Sequence, residues 1–299
     1  MNIKLYNTEI DIKSETCRFL GRKSHEITEP YLNMYTMFKG CDAKCKFCSY
    51  MDKAKRFDID KYKEVLEYVV KNVQLKKFNL TGGEPTLNYD LFKEVYDITV
   101  GIIDKSTQLT INTNGINLHK LVEDKSITDR VNSIGLSRHH YLDERNNDIF
   151  ETNVITNEEI KELQGKMKNK GIINFACNLI KGQIDSRDEV HKFLDYVIDM
   201  GIELVGFVSL MPVNEYCEDN FINFNKLGLK SNLFNLTKEF KYKDICRCNN
   251  YLYISEKHDG KVVRIYYKNT YRPEFTPSII SFDGKNLVKG FTDEIIYHH

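Results

Sequence analysis

Three cysteines fall within eight residues in the segment MFKGCDAKCKFCSYMD, at Cys41, Cys45 and Cys48. Thiols this close can form a disulfide staple, a zinc knuckle or an iron–sulfur site. A staple belongs to small proteins of oxidising compartments. The opening MNIKLYNTEIDIKSE has no basic start followed by an apolar core, and no stretch reaches the ~18 apolar residues of a membrane span. The chain therefore reads as cytoplasmic, with its thiols reduced or metal-bound. Structural zinc usually takes four ligands in two pairs, whereas SYMD after Cys48 brings no fourth Cys or His nearby. Three thiolates leave one iron of a [4Fe–4S] cluster without a protein ligand, and such an open iron can bind a substrate.

The elements that must position these thiols follow an alternating pattern. YLNMYTMF (Tyr31 to Phe38) reads as a buried strand, and Asp58 to Asn72 as a helix with Ile59, Tyr62, Leu66, Val69 and Val70 at helical spacing. Strands follow at FNLTGG from Phe78, LTINTNG from Leu109, VNSIGLS from Val131, IINFACNLI from Ile172 and LVGFVSLM from Leu204. Between them lie helices from Asp90, over Ile116 to Lys125, over Thr156 to Lys170, and after Ser186. Thr156 with Glu159, and Ser186 with Glu189, have the spacing of capping boxes. Nearly six strand–helix alternations imply parallel strands with crossover helices, as an open doubly wound sheet or a partial barrel. In either, sites form at the carboxyl ends of the strands. The three cysteines, Gly82-Gly83-Glu84, Asn114 and Ser137 to His140 all fall at that end of successive strands.

From Val213 the pattern changes. A helix is expected within Lys226 to Phe240, then strands at YLYIS, KVVRIYY and SIISFDGKNLVKGF, with turns at Asp259-Gly260 and Asp283-Gly284. Residues 1–30 form an N-terminal extension in this reading, 31–212 the core, and 213–299 a small, mainly β extension that covers one end or edge of the sheet. His298 and His299 receive no role. The 43 basic and 43 acidic side chains balance, which argues against a nucleic-acid partner.

The combination Cys41-x-x-x-Cys45-x-Phe47-Cys48 with Gly82-Gly83-Glu84-Pro85 resembles the radical S-adenosylmethionine (radical SAM) superfamily, over about residues 31 to 212. LTGGEPTL and INTNG look most like its molybdenum cofactor biosynthesis protein A branch, and LSRHHYLDERNNDIF looks like a stretch of viperin-like enzymes. The resemblance implies a partial (β/α)6 barrel with a C-terminal α+β extension. It implies that Cys41, Cys45 and Cys48 hold a [4Fe–4S] cluster whose fourth iron is chelated by SAM. Phe47 would lie against the adenine, and Gly82, Gly83 and Glu84 would receive the methionine ammonium. Thr113, Ser137 and Asn178 would contact the ribose or carboxylate. One electron would cleave SAM to methionine and a 5′-deoxyadenosyl radical, which takes hydrogen from a small-molecule substrate. The electron would come from a donor such as flavodoxin or ferredoxin, and no membrane or nucleic-acid partner is implied.

Arg138, His139 and His140 are the candidates for direct substrate contact, against the blander reading of a solvated loop. Cys17 and Cys177 read as ordinary small residues. Cys217, Cys246 and Cys248 could hold a second, auxiliary cluster, but Ile265 stands where relatives place a further cysteine. Two alternatives stand beside the small-molecule enzyme. A peptide-modifying enzyme is one, although about 30 residues before the first strand leave little room for a leader-binding domain. A non-catalytic iron–sulfur carrier is the other, and it would have no use for the Gly-Gly-Glu strip.

Overall fold

A hairpin of β1 (Asn2–Leu5) and β2 (Thr8–Asp11) opens the fold. There follow β3 (Leu32–Phe38), α1 (Ile59–Asn72), β4 (Leu75–Gly82), α2 (Tyr89–Ile102), β5 (Gln108–Thr113), α3 (Leu118–Glu123) and α4 (Lys125–Thr128). Next come β6 (Ser133–Ser137), α5 (Asp143–Phe150), α6 (Asn157–Lys166), β7 (Ile173–Leu179), α7 (Arg187–Asp199), β8 (Leu204–Ser209) and α8 (Glu215–Asp219). The last strands are β9 (Asn249–Ser255), β10 (Lys261–Lys268), β11 (Ile279–Phe282), β12 (Leu287–Lys289) and β13 (Ile295–Tyr297). The structure, a computed structural model, describes residues 2–12, 32–48, 57–223, 226–227, 249–255, 257–268, 278–290 and 294–297. Cys17, Cys246, Cys248, His298, His299 and nearly all of the helix expected within Lys226 to Phe240 lie outside the described residues.

Strands β3 to β8 pair in parallel, each with the next in sequence. A doubly wound sheet reverses its strand order at a switch point; this one does not, so the arrangement is that of a barrel arc. The extension continues the same sheet at both edges instead of covering one. Strand β10 adds parallel to β8, and β11 adds parallel to β3, with β9 and β12 antiparallel outside them. Each edge of the arc is an open row of N–H and C=O groups, and these strands pair it. The turns are made where the sequence places them: Asp259 and Gly260 both have positive φ (52° and 76°), as does Gly284 (91°).

The helices form for local reasons. Asp58 accepts from the Lys61 N–H at 3.0 Å and starts α1, which buries Tyr62, Val65, Leu66 and Val69 against the sheet. The Thr156–Glu159 capping box is complete at the start of α6. That helix ends at Lys166, short of the expected Lys170. The box expected at Ser186 is only half made. Ser186 caps the Glu189 N–H at 3.2 Å, but the Glu189 carboxylate turns to the Tyr141 hydroxyl (2.9 Å) and Lys192 (2.8 Å). Among the described residues no helix is long and apolar enough to cross a membrane.

Candidate active site

The chain leaves β3 into the cysteine loop through Gly40, whose φ of +80° suits glycine. Cys41 is exposed, Cys48 half-buried and Cys45 buried. The loop is fastened by the segments that follow β6 and β8. The Lys44 N–H donates to the Phe150 carbonyl (2.8 Å), Asn214 Nδ2 to the Lys46 carbonyl (3.0 Å), and Cys217 Sγ to the Phe47 carbonyl (3.6 Å).

Burial pushes the Cys41 thiol up to about 11. It pushes Cys45 up to about 12, with the charges of Cys48 and Cys41 adding to the rise. As free thiols both are protonated at neutral pH, so thiolates here need a positive centre. Among the described residues no three His, Cys, Asp or Glu side chains are placed to hold a single metal ion. A [4Fe–4S] cluster supplies positive charge and takes each thiolate on a separate iron. The donor set fits such a group.

The Gly82-Gly83-Glu84 strip leaves β4 directly beside this loop. Gly83 N–H donates to the Phe38 carbonyl and Glu84 N–H to the Gly40 carbonyl, each at 2.8 Å. The two backbones run so close that a Cβ on Gly83 would lie 1.9 Å from the Gly40 oxygen, and one on Gly82 2.4 Å from the Phe38 nitrogen. The glycines are therefore required by the contact between the two motifs, in addition to any approach of a ligand.

Glu84 is buried, and its carboxylate accepts four hydrogen bonds. Oε1 takes the Thr86 hydroxyl (2.6 Å), the Thr86 N–H (2.9 Å) and the Thr113 hydroxyl (2.8 Å). Oε2 takes the Asn114 N–H (2.7 Å). Burial raises its pKa, and these donors oppose the rise. A carboxylate offers about four acceptor positions, so the capacity left for a ligand is at Oε2. Thr113 Oγ1 also accepts from the Gly115 N–H (3.0 Å), which engages this hydroxyl within the protein. Asn114 completes the junction: its side-chain Nδ2 donates to Asp42 Oδ1 at 2.7 Å, between Cys41 and Cys45.

At the end of β6 the chain turns through Arg138, His139 and His140, all buried. The Arg138 guanidinium donates to the Ile155 carbonyl (2.8 Å), Asp143 (2.7 Å) and Asn157 (2.7 Å). His139 lies between two aromatic rings, stacked on Phe150 (4.9 Å between centroids) and edge-on to Phe47 (5.2 Å). Its Nδ1 accepts from the Asn178 N–H at 3.0 Å, which leaves the proton of the neutral ring on Nε2. Burial, reinforced by the Arg138 charge, lowers its pKa to about 3. His140 is also shifted down, by burial first, and its Nδ1 accepts from the Leu142 N–H (3.1 Å).

Ser137 and Asn178 are half-buried at the ends of β6 and β7. Cys217 is buried in a small apolar cluster with Ile180, Leu210 and Phe47, under the cysteine loop. Cys177 is buried beneath the His139 carbonyl, as an ordinary core thiol. Ile265, at the departure from the auxiliary-cluster pattern, is a core residue of β10.

The sequence places Asn114 at the site end of its strand without a partner, and it singles out neither Asn146 nor Asn157. Asn146 accepts from the His139 and His140 N–H groups (2.9 and 3.1 Å) and donates to the His140 and Leu142 carbonyls (2.6 and 2.9 Å). Asn at a turn was the available signal. Among the described residues six large apolar side chains are exposed. Leu87, Ile116, Leu142, Met211 and Val213 all sit in loops at the carboxyl ends of β4, β5, β6 and β8, among exposed polar side chains such as Asn88, Glu144 and Asn214.

The model of the radical SAM superfamily matches residues 35–218. A GTP 3′,8-cyclase of Listeria monocytogenes is 29% identical over 184 residues, which cover 58% of this chain and 52% of the relative. A GTP 3′,8-cyclase of Clostridium acetobutylicum is 28% identical over 187 residues, covering 58% and 54%. The chain thus spans about half the length of these curated relatives. Among solved structures, Streptococcus suis SuiB bound to its precursor peptide SuiA has a TM-score of 0.49 at 18% identity, covering 64% of this chain and 42% of that one. A radical SAM methyltransferase of Sphaerobacter thermophilus has a TM-score of 0.49 at 16% identity, covering 64% and 59%. The family match takes in the strand arc, the Gly-Gly-Glu strip and all four cysteines around the loop, and the chain belongs to the radical SAM superfamily.

Proposed function

We propose that this enzyme cleaves SAM reductively and uses the resulting radical to take a hydrogen atom from a small-molecule substrate. The observation that carries the reading is the junction of the two motifs, in which Glu84 N–H meets the Gly40 carbonyl at 2.8 Å beside the three thiols. When bound and reduced, the cluster and SAM together supply a 5′-deoxyadenosyl radical. Cys41, Cys45 and Cys48 would hold the cluster, which would bind the methionine end of SAM. The strip at Gly82 to Glu84 receives the ammonium through its backbone and the free side of Glu84 Oε2. Ser137 and Asn178, at neighbouring strand ends, would receive the rest of SAM, with Phe47 offering an apolar face. His139 is fixed as a neutral hydrogen-bond donor and does not act as a proton acceptor at working pH. An external one-electron donor such as flavodoxin or ferredoxin serves the cluster.

The test is an anaerobic, iron-reconstituted sample treated with dithionite and SAM. Wild type forms 5′-deoxyadenosine, and the variant with Cys41, Cys45 and Cys48 all changed to Ala binds no cluster there and forms none. Product from that triple variant would overturn the assignment.

A further inference from the structure

We infer that Asn114 is a positioning residue for the cluster, holding the Cys41–Asp42 segment and setting the charge felt at the iron that Cys41 carries. The inference rests on the reading that the three thiols hold a [4Fe–4S] cluster.

The orientation of the Asn114 amide is fixed by its own surroundings. Its Oδ1 accepts from the Ile116 N–H at 3.0 Å, so the NH2 end faces the cysteine loop. Its backbone N–H is tied to Glu84 Oε2 at 2.7 Å. The residue is buried, 6% exposed, so the amide has little room to turn and little water to compete. Nδ2 then meets two atoms of the loop: Asp42 Oδ1 at 2.7 Å and Cys41 Sγ at 3.9 Å. A second donor, the Ala43 N–H, reaches the same sulfur at 3.4 Å.

Both contacts of Nδ2 act on a cluster in the same direction. Reduction adds negative charge, and N–H groups aimed at a cluster thiolate stabilise the reduced form and raise the potential. A carboxylate beside the cluster disfavours reduction by simple repulsion. The amide donates to that carboxylate, holds it in place and offsets part of its charge. Removing Asn114 therefore withdraws a donor from Cys41 and releases Asp42, and both changes make the cluster harder to reduce. A residue that merely tied β5 to the loop would affect stability and iron retention but would leave the potential of an intact cluster where it was.

The experiment is a redox titration of the reconstituted full chain, followed by electron paramagnetic resonance, with iron content measured on the same samples. We expect Asn114→Ala to keep its irons and to become about tenfold harder to reduce, equivalent to about 59 mV for a one-electron couple. Asp42→Asn should shift the potential upward, and Asn114→Ala should have a smaller effect in that background. If the alanine variant loses its irons, Asn114→Leu, which fills the space without a donor, takes its place with the same reading. An unmoved potential in an Asn114 variant with full iron content would overturn the inference. A wild-type protein that binds no iron would instead overturn the cluster reading beneath it.

Discussion

The backbone N–H of Asn114 donates to Glu84 Oε2 at 2.7 Å, across 30 residues of sequence, and so locks the end of β5 to the strip that follows β4. In Glu84→Gln, one carboxylate oxygen becomes an NH2 that cannot accept from the backbone N–H groups of Asn114 or Thr86. One buried donor is left unpaired, at a cost of about 1–3 kcal/mol. We expect a lower urea midpoint together with at least tenfold weaker SAM binding by calorimetry, about the loss of one hydrogen bond to a charged group. Unchanged stability would show that the four-bond arrangement does not form.

Two glycines should respond with opposite signs. Gly83→Ala puts a methyl against the Gly40 carbonyl at 1.9 Å, backbone on backbone, and should destabilise by about 3 kcal/mol or more while impairing iron uptake. Gly101, in α2, has nothing within 4 Å of an added Cβ. Gly101→Ala should stabilise by about 0.5–1 kcal/mol. Thermal denaturation of both variants checks the pair.

The Arg138 guanidinium is fully buried and makes hydrogen bonds to Ile155, Asp143 and Asn157. Arg138→Met should cost about 3 kcal/mol of stability, because Asp143 and the Ile155 carbonyl lose a buried partner. A stable variant with a specific defect in substrate turnover would restore the catalytic role first expected for this residue.

His139 gives a pH dependence of defined sign. Its pKa is held at about 3 in the fold, below the ordinary 6.5, by burial and by Arg138; Cys177, which meets its carbonyl, and the adjacent His140, also shifted down by burial, are titratable neighbours. Between these values the unfolded chain binds a proton that the folded chain does not. Stability therefore rises with pH through this window. The contribution is complete above about 6.5 and is lost as pH falls toward 3, at up to about 1.4 kcal/mol per pH unit. Urea titrations at pH 7 and pH 4.5 should show this slope in wild type and a shallower one in His139→Gln. Equal slopes would exclude His139 as its source.

Cys217 is packed with Ile180 and Leu210 and donates to the Phe47 carbonyl. We expect Cys217→Ala to bind as much iron as wild type. Loss of about four irons in that variant, with the signal of the first cluster retained, would instead establish the auxiliary cluster that the cysteine pattern raised.

The sequence by itself determined the strand–helix alternation from β3 to β8, though not α5 or α8, together with the three thiols, the Gly-Gly-Glu strip and the Thr156–Glu159 cap. Each is a short-range pattern whose physics is complete within one or two turns of chain. Tertiary structure alone decided what those residues meet. Thr113 and Asn114 reach Glu84 because β4 and β5 pair in one particular register, with Leu80 opposite Ile111. Glu189 completes no capping box because Tyr141, 48 residues away, reaches its carboxylate. Arg138 turns inward because Asp143 and Asn157 come together beside it. The spacing of Gly82 and Gly83 shows a place that tolerates no side chain, but only the approach of Gly40 shows why. Contacts of this kind depend on how parallel strands are registered and how their loops fold back, and no local periodicity encodes that.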